Sequence, residues 1–259
     1  MGGWIISIVG RGRIVVWQGA SLWVLASEHD TSEVQPHAHH AIQITFSLKG
    51  GFELCSDGKC LTGPIAAVAS DARHTFRGNG AVAFLFVAPE STAGIALTTT
   101  LFRRGPLARL DSPPASAALA ALRQCFDDGE AGEALRELGQ EIVAELARGA
   151  EAGRPDPRVL GMVDYAANQL EDRVTLPAAA AHINLSPSRA RHLFVAHTGL
   201  PFKAYILWLR LERAVRLYAD GASLTEAAHM AGFADSAHLS RTFRRTFGLP
   251  AAALRLAAN

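Results

Sequence analysis

The spacing of apolar residues changes part-way along the chain. Up to about Glu90 they come in short β-rich runs, "WIISIV", "RIVVWQ", "LWVLA", "IQITFSL", "GFELC", "IAAVAS" and "AVAFLFVA", parted by Gly, Asp, Asn and Pro. Several alternate with a period of two. Ile42, Ile44, Phe46 and Leu48 fall on one face of a strand, and Gln43, Thr45 and Ser47 on the other. Closely spaced strands with no helix between them predict a sandwich or a small barrel. "CSDGKC" predicts a hairpin, because Asp57-Gly58 supplies the positive φ angles of a two-residue turn.

From Pro113 the period becomes that of a helix. Asp111 or Ser112 caps the first, with Pro113 or Pro114 in its first turn and Leu119, Leu122 and Phe126 on one stripe. A second carries Leu135, Leu138, Ile142 and Leu146, with Glu137, Glu141 and Glu145 on other faces. Such stripes serve either to pack on the strands or to pair with a second subunit in an antiparallel coiled coil, as in a homodimer. "GAEAGRPDP", residues 149–157, is rich in Gly and Pro and reads as a linker.

Beyond the linker the chain is helical and repeats itself. "AAAHINLSPSRARHLFVAHTGLP" (179–201) and "EAAHMAGFADSAHLSRTFRRTFGLP" (226–250) each run from a small-residue helix ending in Ala-His, through a break, to a helix closed by Gly-Leu-Pro. Each reads as a helix-turn-helix unit. Val159, Met162 (or Val163), Ala166 and Leu170 mark a preceding helix that packs on the first unit. In that unit Thr175 caps, Asn184-Leu185 turns the chain, Ser186 caps the second helix and Gly199 ends it. Pro201–Ala219 forms a rod to the second unit. There Ser223 and Glu226 suit a capping box, Gly232-Phe233 makes the turn, and Asp235 or Ser236 caps the last helix.

Composition adds three points. Hydrophobic content of 49% with 19% charged residues describes a folded chain. The formal net charge is only +1, but residues 156–259 hold 12 Lys+Arg and 8 Asp+Glu, a net of +4, against −3 for residues 1–155. The basic excess sits with the repeat, as contact with phosphates requires. No run approaches the length of a membrane span and no signal sequence is visible, so a cytoplasmic protein without a membrane partner is expected. Three cysteines do not make a secreted framework. Across the hairpin turn Cys55 and Cys60 stand opposite, with Cα atoms about 4.5 Å apart. That distance lies at the short end of the disulfide range and would suit a redox switch, but in a reducing cytosol reduced thiols are expected there.

The repeat carries the first candidate chemistry. A recognition helix enters the major groove and its early residues reach base edges. Ser188, Arg189, Arg191 and His192 face outward in the first unit, and Ser236, Ala237, Ser240 and Arg241 in the second. Arg244 and Arg245 remain for phosphate. Arg191 and Arg241 are the candidates for bidentate contacts to guanine.

The second candidate lies in "PHAHHAIQITFSLKG" and "SDARHTF". On a strand His37, His39 and Gln43 share one face, and His74 from a later strand end completes a set of three imidazoles suited to Zn, Fe, Ni or Mn. Three readings stand side by side: a divalent metal site, a metal-free effector pocket, or histidines that only hydrogen-bond near a rim.

The spacing of His37, His39, Gln43 and Gly50 resembles the first motif of the cupin family, with Gln43 in the place of its Glu. Gly63 and His74 match the second motif, while Ala69 and Asp71 replace its Pro and Gly. The resemblance covers residues 30–90 and implies a small β-barrel. The back half is similar to the AraC/XylS family of bacterial transcription regulators. Gly232-Phe233, the Phe243–Phe247 spacing and Gly248-Leu249-Pro250 carry that likeness. It implies double-stranded DNA as partner, a sensing domain in front with a small-molecule effector, and RNA polymerase if the protein activates.

The expected fold class is therefore α+β: a cupin-like β-barrel sensing domain at 1–110, a helical linker or dimerisation region at 111–155, and an all-α domain with two helix-turn-helix motifs at 156–259. The expected protein is a DNA-binding regulator and not an enzyme. The rival, a metal cupin working at His37, His39 and His74, would leave the back half unexplained.

Overall fold

The computed structural model describes residues 12–27, 34–149, 153–171 and 173–251; the expected strand at "WIISIV" lies outside them. The described residues divide into two compact units. One takes those before Gly153 together with those from Ser240 on; the other is Gly153–Leu239. The division at Gly153 falls inside the Gly/Pro-rich linker. The last helix crosses the second division.

The first unit is built on an antiparallel sheet of β1 (Gly12–Trp17), β2 (Ala20–Ser27), β3 (Val34–His37), β4 (Ile42–Ser56), β5 (Lys59–Thr62), β6 (Ile65–Val68), β7 (His74–Val87) and β8 (Leu107–Arg109). Its main ladder runs β1-β2-β7-β4-β6-β8, while β3 pairs with β7 and β5 with β4. The runs "IQITFSL" and "GFELC" are one strand, β4, which pairs with β7 from Ile42↔Val87 to Ser56↔His74.

That long ladder changes register between Ser47 and Lys49. Gly50 and Gly80 sit there with φ of +78° and +76°, and a β-carbon on either would come within about 2.5 Å of the opposite backbone. Only glycine allows this close, left-handed crossing. Beyond the bulge the neighbours change. β2 and β6 flank one half of the β4–β7 ladder, β3 and β5 the other. Gln43 and Phe86 from one half and Phe76 from the other line a single cavity.

The sheet's two faces do different work. Leu22, Val24, Ile42, Ile44, Phe46, Ala83 and Leu85 form the core with α1 (Thr92–Leu101), α2 (Pro113–Asp127) and α3 (Gly132–Leu146). Leu119, Leu122, Leu135 and Ile142 are buried in that core, so the leucine stripes pack on the sheet. Each such side chain is worth about 1.5–3 kcal/mol on burial. The helix α1 is not among the elements expected from the sequence. Ser91 caps it through a hydrogen bond from the Gly94 amide.

The hairpin forms as its turn residues dictate, with Asp57 at φ +50°, Gly58 at +73° and Cys55 opposite Cys60. The expectation of free thiols is corrected. The register brings the Cα atoms to 4.1 Å and the two sulfurs are bonded.

The second unit begins with α4 (Pro157–Asn168), followed by α5 (Leu176–His182), α6 (Pro187–Thr198), α7 (Phe202–Ala219), α8 (Leu224–Met230) and the start of α9 (Ser236–Phe247). Val159, Met162, Ala166, Ala179, Ala190, Phe194 and Tyr205 make its core. Phe194 meets Phe202 and Tyr205 edge-on, each at 5.1 Å between ring centroids. Alanines at 179, 180 and 190 are fully buried, which is what lets α5 and α6 approach closely.

Candidate nucleic-acid interface and the histidine cluster

Each helix-turn-helix is held by its own caps. Asp156 caps α4, the Thr175 hydroxyl accepts from the Ala178 amide, and the Ser186 hydroxyl accepts from the Arg189 amide at the start of α6. Asn184 takes a left-handed φ of +55° at the first turn and Gly199 closes α6 at +74°. In the second motif Ser223 and Glu226 exchange hydrogen bonds in a full capping box. At the last helix Asp235, not Ser236, is the capping side chain, accepting from the His238 amide.

These caps set the outward faces. Ser188, Arg189, Arg191 and His192 are all exposed on the first two turns of α6. On α9 Ala237, Arg241, Arg244 and Arg245 are exposed, while Ser236 and Ser240 are half-buried. Among the described residues, no ion pair uses Arg189, Arg191, Arg241, Arg244 or Arg245. Other arginines of the back half are committed elsewhere. Arg158 binds Asp156 and holds its carboxyl down at about 2, Arg213 pairs with Glu171, and Arg210 reaches the Leu170 carbonyl. Five guanidinium groups thus remain on the two recognition helices.

In the first unit the structure brings His37, His39 and His74 together. His37 ends β3 and pairs with His74 at the start of β7, the rings 4.2 Å apart. His39 is in the connection between β3 and β4, not on one strand with His37, yet its ring lies 4.9 Å from that of His74. All three are buried. Each Nδ1 is within hydrogen-bond distance of a backbone carbonyl: Gln35 at 2.8 Å, Ala41 at 2.9 Å and Ala72 at 2.8 Å. Carbonyls only accept, so every Nδ1 carries the proton and every Nε2 of a neutral ring is a lone pair. The Nε2 of His74 is buried and has no hydrogen-bond partner among the described residues.

Burial dominates the electrostatics here. It pushes His37 down to about 4, assisted by His74; it holds His39 well below the ordinary imidazole value, with His74 and His37 adding to the effect; and it lowers His74. The rings are neutral at pH 7. Gln43 lies beside them, its Oε1 3.0 Å from His39 Nε2 and its amide NH2 donating to the Thr45 hydroxyl. The expected polar face of β4 is consequently interior: Gln43, Thr45 and Ser47 are all buried. The adjoining cavity is mostly apolar, walled by Trp23, Leu25, Val34, Phe76, Phe84 and Phe86, and His37, Gln43 and Asn79 bring polar side chains to it.

Two contributors are not among the expected site residues. Thr45 shares Gln43's face by strand parity, which would have found it. His40 is buried between Asp71 at 3.0 Å and Glu90 at 3.2 Å. Burial alone would lower its pKa, but the two carboxylates raise it to about 9. Nothing local to His40 announces partners so far along the chain.

Residues 179–257 match a family model described as a helix-turn-helix domain. The back half carries an AraC-type helix-turn-helix domain. The uncharacterized HTH-type transcriptional regulator YpdC of Escherichia coli (strain K12) is 31% identical over 102 residues, 38% of this chain and 36% of its own length. The HTH-type transcriptional regulator GbdR of Pseudomonas aeruginosa (strain UCBPP-PA14) is 30% identical over 99 residues, 38% of this chain and 27% of its own. The chain thus spans about a third of the curated relatives it matches. A crystal structure of unsaturated fatty acid bound wild-type ToxT from Vibrio cholerae strain SCE256 has a TM-score of 0.60 over 97% of this chain and 98% of that one. At 10% identity the likeness is of fold alone. It covers an antiparallel sheet domain followed by the AraC-type helices, the α+β architecture expected. Among the described residues no helix is long and apolar enough to cross a membrane.

Proposed function

We propose that this chain is a sequence-specific DNA-binding transcription regulator, acting in the cytoplasm, whose sheet domain receives a small-molecule effector or a metal. The single observation that carries the reading is the pair of capped recognition helices, whose outward arginines make no ion pair among the described residues while neighbouring arginines are engaged. Ser188, Arg191 and His192 read one groove segment and Ser236, Ala237, Ser240 and Arg241 a second. Arg189, Arg244 and Arg245 neutralise phosphates. The unlike faces of the two helices make the site non-palindromic for each subunit.

The buried histidine cluster and its apolar cavity are the sensing site, formed by His37, His39, Gln43 and His74. A protein of the same fold has been crystallised with an unsaturated fatty acid, which supports a ligand here. An occupant that binds two arrangements of the chain unequally shifts the balance between them and so alters DNA binding. An activator of this kind would meet RNA polymerase, and a homodimer would read a repeated site. The matched relatives are regulators, and an enzyme reading leaves α4–α9 without a task.

Sequencing the DNA fragments that the purified protein retains from a random pool tests this reading. A recurrent motif of two adjacent groove segments is expected. Retention with no enriched sequence, or none at all, would refute it.

A further inference from the structure

The disulfide of the β4–β5 hairpin adds little to the hairpin itself. Asp57-Gly58 sets the turn, and the ladder from Glu53↔Thr62 to Ser56↔Lys59 joins the two strands on both sides of the bridge. Cys55 and Cys60 have a sequence separation of only 5, and closing so short a loop constrains the unfolded chain least. Cys60 is exposed, as are Asp57, Gly58 and Lys59 beside it, and Cys55 is half-buried. A disulfide that an external thiolate can reach belongs to the labile class, not to the structural one.

The surroundings of the pair point to a second use. Strand parity puts Glu53 and Cys55 on one face of β4; the same face carries Cys60 and Thr62 from β5, and Thr75 and Arg77 from β7. Glu53 Oε1 lies 3.6 Å from Cys55 Sγ. A sulfur bonded to another sulfur has no proton to donate, so in the oxidised pair the carboxylate gains no hydrogen bond from that contact. In the reduced pair the distance suits a shared cation. Zn–S of about 2.3 Å and Zn–O of about 2.0–2.2 Å at a tetrahedral angle put sulfur and oxygen about 3.5 Å apart. One ligand atom from each of Glu53, Cys55 and Cys60 lies within 4.8 Å of the other two.

The charges agree with a divalent ion. Two thiolates and a carboxylate carry −3, which leaves −1 once the ion is bound. The guanidinium of Arg77, 3.5 Å from the other oxygen of Glu53, offsets the remainder. Thiolates select soft or borderline ions such as zinc, and the exposed side of Cys60 leaves a fourth position to water.

We infer that Cys55 and Cys60 are a reversible thiol–disulfide site whose reduced form binds a thiophilic divalent ion, with Glu53 as third ligand. In the opening step an external thiolate attacks the exposed Cys60 sulfur, and Cys55 leaves as a thiolate. A second thiolate attacks the external sulfur of that mixed disulfide and frees Cys60. Two electrons enter the pair, and the external thiols depart as their own disulfide. A divalent ion then replaces the two thiol protons, which pass to solvent. An oxidising disulfide runs the exchange backwards and expels the ion, so metal and bridge exclude each other. The site goes beyond the DNA-binding reading and does not depend on it.

Cadmium(II) is the probe, because cadmium thiolates give an ultraviolet charge-transfer band that cadmium on imidazole or carboxylate lacks. Titrated into the full chain after reduction by a phosphine, it should raise that band to a plateau, and the oxidised chain should give none. Cys55→Ser and Cys60→Ser should each abolish the plateau. Glu53→Gln should keep the band and weaken binding by at least roughly tenfold, the lower end of what even an outer-shell partner contributes. Reduced glutathione should open the pair and glutathione disulfide close it, read by alkylation and intact mass; cadmium bound beforehand should slow the closure. Circular dichroism melts should change little on reduction or in the variants, since turn and ladder hold the hairpin. No band from the reduced chain, or a band surviving in either serine variant, would overturn the metal site. Unchanged affinity in Glu53→Gln would overturn the third ligand. A bridge that reduced glutathione leaves closed would overturn the switch and make the disulfide a structural one.

Discussion

A β-carbon added to Gly232 would lie 2.7 Å from the carbonyl oxygen of Leu170. Gly232 is the turn of the second helix-turn-helix, at φ +79°, and Leu170 follows the helix that packs on the first. Arg210, from the long helix between the motifs, donates to the same carbonyl. One backbone oxygen therefore ties the turn, the rod and the end of the α4 region together. Gly232→Ala would force a left-handed alanine, costing about 1–3 kcal/mol, and the collision with the carbonyl adds to that. A lowered thermal midpoint is expected; an unchanged one would mean the turn relaxes freely.

Arg241 is expected to read a base and Arg245 a phosphate. Arg241→Ala should cost about 1–3 kcal/mol on the preferred site and relax the choice at one position. Binding curves on a panel of single-base variants measure this. Equal losses on every sequence would reassign Arg241 to the backbone.

Arg245→Ala should weaken binding to all sequences alike and lower the slope of log K against log[salt] by about one. The same titration run on Arg213→Ala is the control, because Arg213 is held by Glu171. A salt slope that falls for Arg213→Ala and stays put for Arg245→Ala would invert the assignment.

Phe194 is fully buried where α6 meets α7. Its truncation to Ala should cost about 3–5 kcal/mol and loosen the first recognition helix, with denaturant titration as the readout. Phe194→Leu, which keeps most of the volume, should recover the larger part.

His40 sits between a half-exposed Asp71 and a buried Glu90. His40→Leu removes the cation from beside Glu90 and should destabilise the sheet unit by about 3–5 kcal/mol. Adding Glu90→Leu to that variant should restore much of the loss, since a buried ion pair is often matched by apolar side chains of similar size. Chemical unfolding of the two variants side by side decides it.

Much of this protein is legible one segment at a time. The Asp57-Gly58 turn, the Ser223–Glu226 capping box, the Gly199 stop and the repeat itself depend on φ preferences and hydrogen bonds within a few residues, and each formed where the sequence placed it. The exposure of Arg191 and Arg241 likewise follows from the helical period once the caps are known. Other features rest on pairing between distant segments, and no local rule reaches them. Whether Leu122 and Leu135 face a sheet or a partner was open in the sequence; the sheet's apolar face claims them. Gln43, Thr45 and Ser47 alternate like a solvent face, yet all three are buried in the folded sheet unit. Which arginines are spent on Asp156, Glu171 and Leu170 depends on how helices meet. Sequence alone determined that three histidines had a spacing compatible with a site. Only the tertiary structure decided that their Nδ1 protons go to the backbone and their Nε2 lone pairs converge, because that requires the ends of β3 and β7 to lie side by side.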